Sequence, residues 1–429
     1  MRAAASWGTL KPSGTPGGKT STMKLPYVNH PRQLLRALSA GVGKTAVILP
    51  AAFATEASLG LVTLGMIFYT REVFRISPSL VGWIAATWQG CYVAGCLTMG
   101  PVGEKLQPRY SMILSTGGMC VAVLGILLSR AVVPLFVCYG LFGLCMALFW
   151  PPLMSWLSSD IEGAPLGRMM SRLTLAGSTA NVISPFVAGS LSALSPRYPL
   201  YAAAGLLAAN CLFLGGAAVA LPRIRADRHP EAGKKTAEGK EDRSTPLRFP
   251  AWVGLFATFT VLGVILTVFP MHARDGLGLS KGAIGAVLLA RALCTAAGFV
   301  ILGRTSFWHF RLAPMSAGLG LLAVLVVVMA RIRAPVPLAF SLGAIGPLIS
   351  LGFSGSFFHG ASGSNRRAAR MALHEALLAG GLIVGSAAGA QVYERFSMSA
   401  LSLCCAALLG VAIVLQLLLV RVTSASHRA

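Results

Sequence analysis

Residues 222–249 read PRIRADRHPEAGKKTAEGKEDRSTPLRF, the largest interruption between apolar runs in the chain. Both signs of charge mix here with Pro, Gly and Thr, and no apolar period survives. Such a segment buries too little apolar surface to fold by itself and reads as a solvated linker. Six apolar runs lie on each side of it, over about 46–70, 80–100, 111–129, 133–156, 172–193, 200–221, 250–270, 281–303, 312–330, 335–357, 373–392 and 398–420. Each is long enough to cross a hydrocarbon core of roughly 30 Å. Lipid offers backbone groups no water, so each run is expected to be a helix that satisfies its own hydrogen bonds. The expected fold is an all-α membrane protein with twelve transmembrane helices in two six-helix pseudo-repeats. Its parts would be a tail over 1–45, a first bundle over 46–221, the linker over 222–249, a second bundle over 250–420 and a tail over 421–429.

Composition agrees. Of 429 residues 55% are hydrophobic and 11% charged, against about 25% charged in a soluble domain. The mean hydropathy is +0.71. The formal charge of +23 suggests nucleic acid until its placement is read, because nearly all Lys and Arg stand in short links between apolar runs. Basic residues there orient a membrane protein. With the N-terminus inside, the cytoplasmic segments hold 26 Lys and Arg and the opposite links nine, or 19 against nine without the N-terminal tail. Both termini and the linker are expected to be cytoplasmic, in a bacterial inner membrane, with no nucleic-acid partner. All nine cysteines sit within apolar runs, with neither CxxC nor Cys/His metal spacing, and read as packing thiols. The first 43 residues lack any acid and any apolar core of signal-peptide length. They read as a cytoplasmic tail, with Met23 as a second candidate start, although their composition also faintly resembles an organellar transit peptide.

An internal repeat is visible at a shift of about 201 residues, which lays Ser184-Pro185-Phe186-Val187-Ala188-Gly189 on Gly385-Ser386-Ala387-Ala388-Gly389-Ala390. Two bundles around a midplane site is a known transporter plan. Between the second and third runs stands Gly100-Pro101-Val102-Gly103-Glu104-Lys105-Leu106-Gln107-Pro108-Arg109. This resembles the cytoplasmic signature of the major facilitator superfamily, with Glu104 for the usual Asp and Pro108 for a common base. Gly100 and Gly103 permit close backbone approach, and Glu104 can face the positive N-terminus of a neighbouring helix. The resemblance implies that this helix is the eleventh span, whose start carries Arg366, Arg367 and Arg370. Lys105, Arg109, Arg370, His374 and Glu375 would complete a cytoplasmic gate. The matching link of the second half, Gly303 to Arg311, lacks the acid. The fifth span, Asn181 to Gly189, resembles the superfamily's proline-glycine motif associated with exporters; its structural alternative is a kinked small-residue face against the eighth span.

Of thirteen acids only Glu56 lies near the middle of a span. A lone carboxyl at that depth costs several kcal/mol and is a functional candidate by default. Burial penalises its charge, which suits it to carry a proton. Arg291, at the centre of the eighth span, keeps its charge and offers a planar donor fork that matches a carboxylate or phosphate. It either binds an anionic substrate or pairs with Glu56 across the halves. Gln89, Trp150 and Thr258 are candidate cavity contacts, while His374-Glu375 reads as an interfacial gate pair. The P-loop spacing fails, since a first glycine at 38 is replaced by Leu38, and no catalytic triad or metal cluster appears. The chain therefore reads as no enzyme and as needing no cofactor. It is expected to be a monomeric secondary active transporter in the lipid bilayer, moving a small-molecule substrate, an organic anion in the first reading, together with protons. Proton-coupled efflux of amphipathic compounds, and a non-transporting membrane sensor or assembly partner on the same fold, are the alternatives.

Overall fold

The computed structural model describes residues 45–98, 106–158, 164–220, 245–362 and 367–426. Gly100, Gly103, Glu104 and Lys105, the N-terminal tail and most of the linker lie outside the described residues. The first half holds α1 (Thr45–Glu72), α2 (Pro78–Thr98), α3 (Pro108–Leu128), α4 (Val132–Met146), α5 (Trp150–Ser158), α6 (Ala164–Leu194) and α7 (Tyr198–Ala220). The second holds α8 (Arg248–Met271), α9 (Lys281–Arg304), α10 (Leu312–Met329), α11 (Pro335–Ala361), α12 (Arg367–Arg395) and α13 (Met398–Ser426). A break before Trp150-Pro151-Pro152 divides the fourth span into α4 and α5, where two consecutive prolines start the second segment. Twelve spans result.

Eleven spans are long and apolar enough to cross a membrane. The twelfth, α6, is long enough at 31 residues but carries Ser178, Thr179, Asn181 and Ser184. Those polar groups dilute its hydropathy, and they matter for the site below. Large apolar side chains such as Leu128, Phe340 and Val219 are 77–84% exposed, an outer face that lipid covers in place of protein.

The two halves repeat each other's packing. In the first, α1 packs on α6 and α7, α2 on α4, and α3 on α7. In the second, α8 packs on α12 and α13, α9 on α11, and α10 on α13. Polar contacts repeat as well. Asn210 of α7 donates to the Ala51 carbonyl of α1 at 3.1 Å, and Gln416 of α13 donates to the Pro250 carbonyl of α8 at 2.9 Å. Interhelical amide bonds of this type hold membrane bundles together where hydrophobicity cannot.

The halves meet along two main seams, α6 on α9 and α2 on α12, with lighter contact between α1 and α8. Both seams use the repeated segment found in the sequence. A Cβ on Gly285 would stand 2.6 Å from the Pro185 carbonyl of α6, and one on Gly82 would collide with the Ser386 carbonyl of α12. Pro185 and Ser386 are equivalent in the repeat. Backbone approach this close requires glycine on the facing helix, so the kinked small-residue face expected of α6 is where it meets the eighth span.

Candidate functional site

Glu56 stands on α1 beside α6. Asn181 of α6 donates from Nδ2 to Glu56 Oε2 at 3.2 Å, and Gly177, one turn earlier, leaves room for the carboxyl stem. Asn181 shares a helical face with Pro185 and Gly189, the residues in the seam with α9, yet Asn181 itself is exposed. The seam therefore opens within one turn of Pro185. Along α2 the same thing happens: Gly82 is buried against α12, Gln89 is half-buried and Cys96 is exposed, all on one stripe. The halves touch at the end where α1 finishes and part toward the end that carries α1's start. These are the far and near ends below.

Arg291 belongs to α9. Ala286, Leu293, Ala297 and Val300 mark that helix's exposed edge. At 3.6 residues per turn Arg291 falls about 160° from that edge. It points neither to lipid nor onto the seam with α6, which α9 makes with Lys281 and Gly285. Its side chain is buried at 8% exposure, and its Nε has no hydrogen-bond partner. Among the described residues no ion pair joins it to Glu56. The two nevertheless share a depth. Asn181 lies four residues from Pro185 and Arg291 six from Gly285 on an antiparallel helix, so both stand about 6–9 Å from the crossing toward the near end.

A third charge joins them from α12. Glu375 lies opposite the exposed edge formed by Val384 and Ala388, on the side that buries Leu382 and Ser386, and is itself exposed. An exposed residue on an inward face means a gap. Tyr92 of α2 faces that gap, within electrostatic reach of both Glu375 and Glu56 and beside Cys96. Tyr92 was not among the sequence candidates. The signal was available, because Tyr92 lies three residues from Gln89 and four from Cys96 on the seam side of α2.

The other expected positions divide. Gln89 lies on the stripe facing the gap. Trp150, the first residue of α5, packs edge-on against Phe149 of the preceding break at 5.3 Å. Thr258 is 1% exposed inside the second half, where it lines a small apolar cavity with Met315, Gly352 and Gln416, so it does not face the first half. The structure parts His374 from Glu375. Successive helical residues point about 100° apart, and His374 turns back to Ser356 Oγ at 2.8 Å and the Phe353 ring at 4.8 Å, both in α11. Arg109 stays within the first half, donating to Gln107 Oε1 at 3.0 Å and the Ala218 carbonyl at 3.4 Å. Arg370 is half-buried at the start of α12.

Sequence reasoning missed the contacts at the far end. Arg71 donates from Nε and Nη2 to Asp275 Oδ2 at 3.1 and 2.5 Å. Lys281 Nζ reaches Glu72 Oε2 at 2.6 Å and the Ser192 carbonyl at 2.9 Å, and Arg274 stands 3.8 Å from Glu72. The Ser79 amide donates to Glu394 Oε2 at 2.6 Å. Every one of these joins one half to the other. A sequence signal existed: Arg71-Glu72 ends the first helix of one half, and Arg274-Asp275 stands just past the end of the first helix of the other, two residues out of register with the repeat. A π-helical turn over His272–Gly276, just after Pro270 interrupts the α8 ladder, aims Arg274 and Asp275 across the seam. Inside this latch a cavity of about 260 Å³ is lined by Ile67, Phe68, Met271 and the charged residues Arg71, Glu72, Arg274 and Asp275.

Comparison with known proteins fits this geometry. The chain is similar in structure to a mutant of the nucleoside transporter NupG, at 12% identity and a TM-score of 0.67, over 87% of this chain and 99% of that one. It is similar to a POT family transporter in complex with a thioalcohol-conjugated peptide, at 12% identity and 0.70, over 89% and 96%. A bacterial homologue of the human lysosomal transporter Spinster, in an inward-facing and occupied conformation, gives 10% and 0.67, over 91% and 96%. Identities this low carry the fold alone. Comparison with curated proteins gives no match. Residues 48–365 match the Major Facilitator Superfamily, and with twelve spans among the described residues, in two repeated bundles, the chain is an integral, multi-pass membrane protein that belongs to that family.

Proposed function

We propose that the chain is a secondary active transporter that carries a small organic anion together with a proton by alternating access. The observation that carries this reading is the pairing in depth of Glu56 and Arg291. One stands at the exposed margin of the gap, held by Asn181, and the other is a buried guanidinium with an orphaned N–H. A carboxyl near mid-bilayer can discard its charge by taking a proton, whereas a guanidinium cannot. The first group therefore carries the proton. The second needs an anion, and a solute carboxylate matches its fork.

The far-end latch supplies the alternation. Arg71 and Asp275 are 27% and 39% exposed, and Glu72 is 32% exposed. The Arg71–Asp275 pair, this wet, contributes roughly 0–1 kcal/mol, while Lys281, 9% exposed, holds Glu72 from a buried position. Binding energy of a few kcal/mol, as a solute and a proton together provide, is enough to open such a latch and move the population toward a far-open state. The basic-residue asymmetry supports a cytoplasmic position for the near end and both termini. Purified protein in liposomes tests the reading. A pH gradient is expected to drive uptake of those carboxylates that raise the protein's melting temperature. Stabilisation without any flux would instead mark a sensor on a transporter scaffold.

A further inference from the structure

We infer that the site takes an amphoteric solute, its anionic group at Arg291 and its cationic group at Glu375. This rests on the carrier reading above and narrows its substrate class. Glu375 carries no ion pair among the described residues, and it faces the gap from α12 with Tyr92 of α2 nearby. Arg291, more than nine-tenths buried, has its Nε unpartnered, and α9 turns it away from both its lipid edge and the seam with α6. Among the described residues, then, one cation and two carboxyls belong to the gap. With a proton on Glu56, one positive and one negative charge remain, the complement of a neutral solute bearing both signs. A simple anion would satisfy Arg291 and still face Glu375, whose charge repels it. A solute ammonium converts that repulsion to attraction, and the Tyr92 ring offers it a π face.

The levels of the two groups set the solute's shape. Glu375 lies eleven residues before Ser386 in the α2 seam, about 16 Å toward the near end, while Arg291 lies about 9 Å from the equivalent crossing. Charges set several bonds apart fit this better than those of an α-amino acid.

The test uses the purified full chain in detergent, with glycine, hexanoate, hexylamine and 6-aminohexanoate as probes at equal concentration. Melting temperature is the first readout. The second is the rate at which a hydrophilic maleimide labels Cys96, the native thiol exposed in the gap beside Tyr92. The 6-aminohexanoate is expected to stabilise most and to slow Cys96 labelling, with glycine inert. Glu375→Gln should weaken 6-aminohexanoate by at least about tenfold, equivalent to the loss of one charge-assisted contact, and leave hexanoate unchanged or tighter, its repulsion by Glu375 gone. Should the variant fold poorly, the wild-type ranking and the Cys96 protection decide the matter. Equal stabilisation by hexanoate and 6-aminohexanoate, equal weakening of both by Glu375→Gln, or no response to 6-aminohexanoate in either readout overturns the inference. Binding that follows the expected ranking without flux in liposomes would sink the transport reading and leave this one standing.

Discussion

Glu56 and Arg291 sit at one depth on two sides of α6, and the chemistry of each fixes what its replacement should do. Glu56→Gln keeps the acceptor that Asn181 needs and removes the proton. Gradient-driven uptake should fall to background while counterflow exchange persists, since exchange requires no net proton movement. Uptake at the wild-type rate would remove Glu56 from the mechanism. Arg291→Lys keeps the charge and loses the fork, so carboxylate affinity should drop by about tenfold or more, read by thermal shift. Full affinity would make Arg291 a structural cation. Both residues were legible before any coordinates, because a lone charge inside an apolar run is costly and therefore conspicuous. Glu375 was legible only in part. Its adjacency to His374 suggested one gate pair, but neighbours on a helix point about 100° apart, and only packing shows which of them meets Ser356 and which meets the gap.

Helices carry the next level of argument, since the seams are made by backbone approach and the latch by helix ends. Gly285→Ala would put a methyl group 2.6 Å from the Pro185 carbonyl. Overpacking of this kind costs about 1–3 kcal/mol, which should appear as a lower melting temperature together with reduced transport. An unchanged melting temperature would mean that the seam yields freely there. At the latch, Arg71→Asp should loosen the far end and raise maleimide labelling of a cysteine placed at Ile76. Adding Asp275→Arg should restore the pair and lower the labelling again, and failure of the double variant to restore it would show that the Arg71–Asp275 contact does not hold the far end closed. The seam segment was legible because the repeat aligned Ser184–Gly189 with Gly385–Ala390. The latch is not legible, because basic residues in links carry a topology signal of their own and an ion pair needs a partner that sequence separation of some two hundred residues conceals.

Seen at the scale of the whole molecule, two bundles with one packing pattern meet at the far end and part at the near end. Length, hydropathy and the charged midpoint determine this plan, because the bilayer leaves a chain so few ways to satisfy its backbone. What remained hidden is everything that depends on rotation about a helix axis. Thr258 was expected to face the partner half and instead faces α10, α11 and α13 inside its own. The central claim is that the proton on Glu56 biases the balance between the two open ends. It is tested most directly by hydrogen–deuterium exchange of wild-type and Glu56→Gln protein at one pH, comparing peptides from the α1–α2 link at the far end with those from the end of α2 and the start of α12 at the near end. The account predicts opposite changes, one end gaining protection as the other loses it. Changes of the same sign at both ends, or none at either, would contradict it.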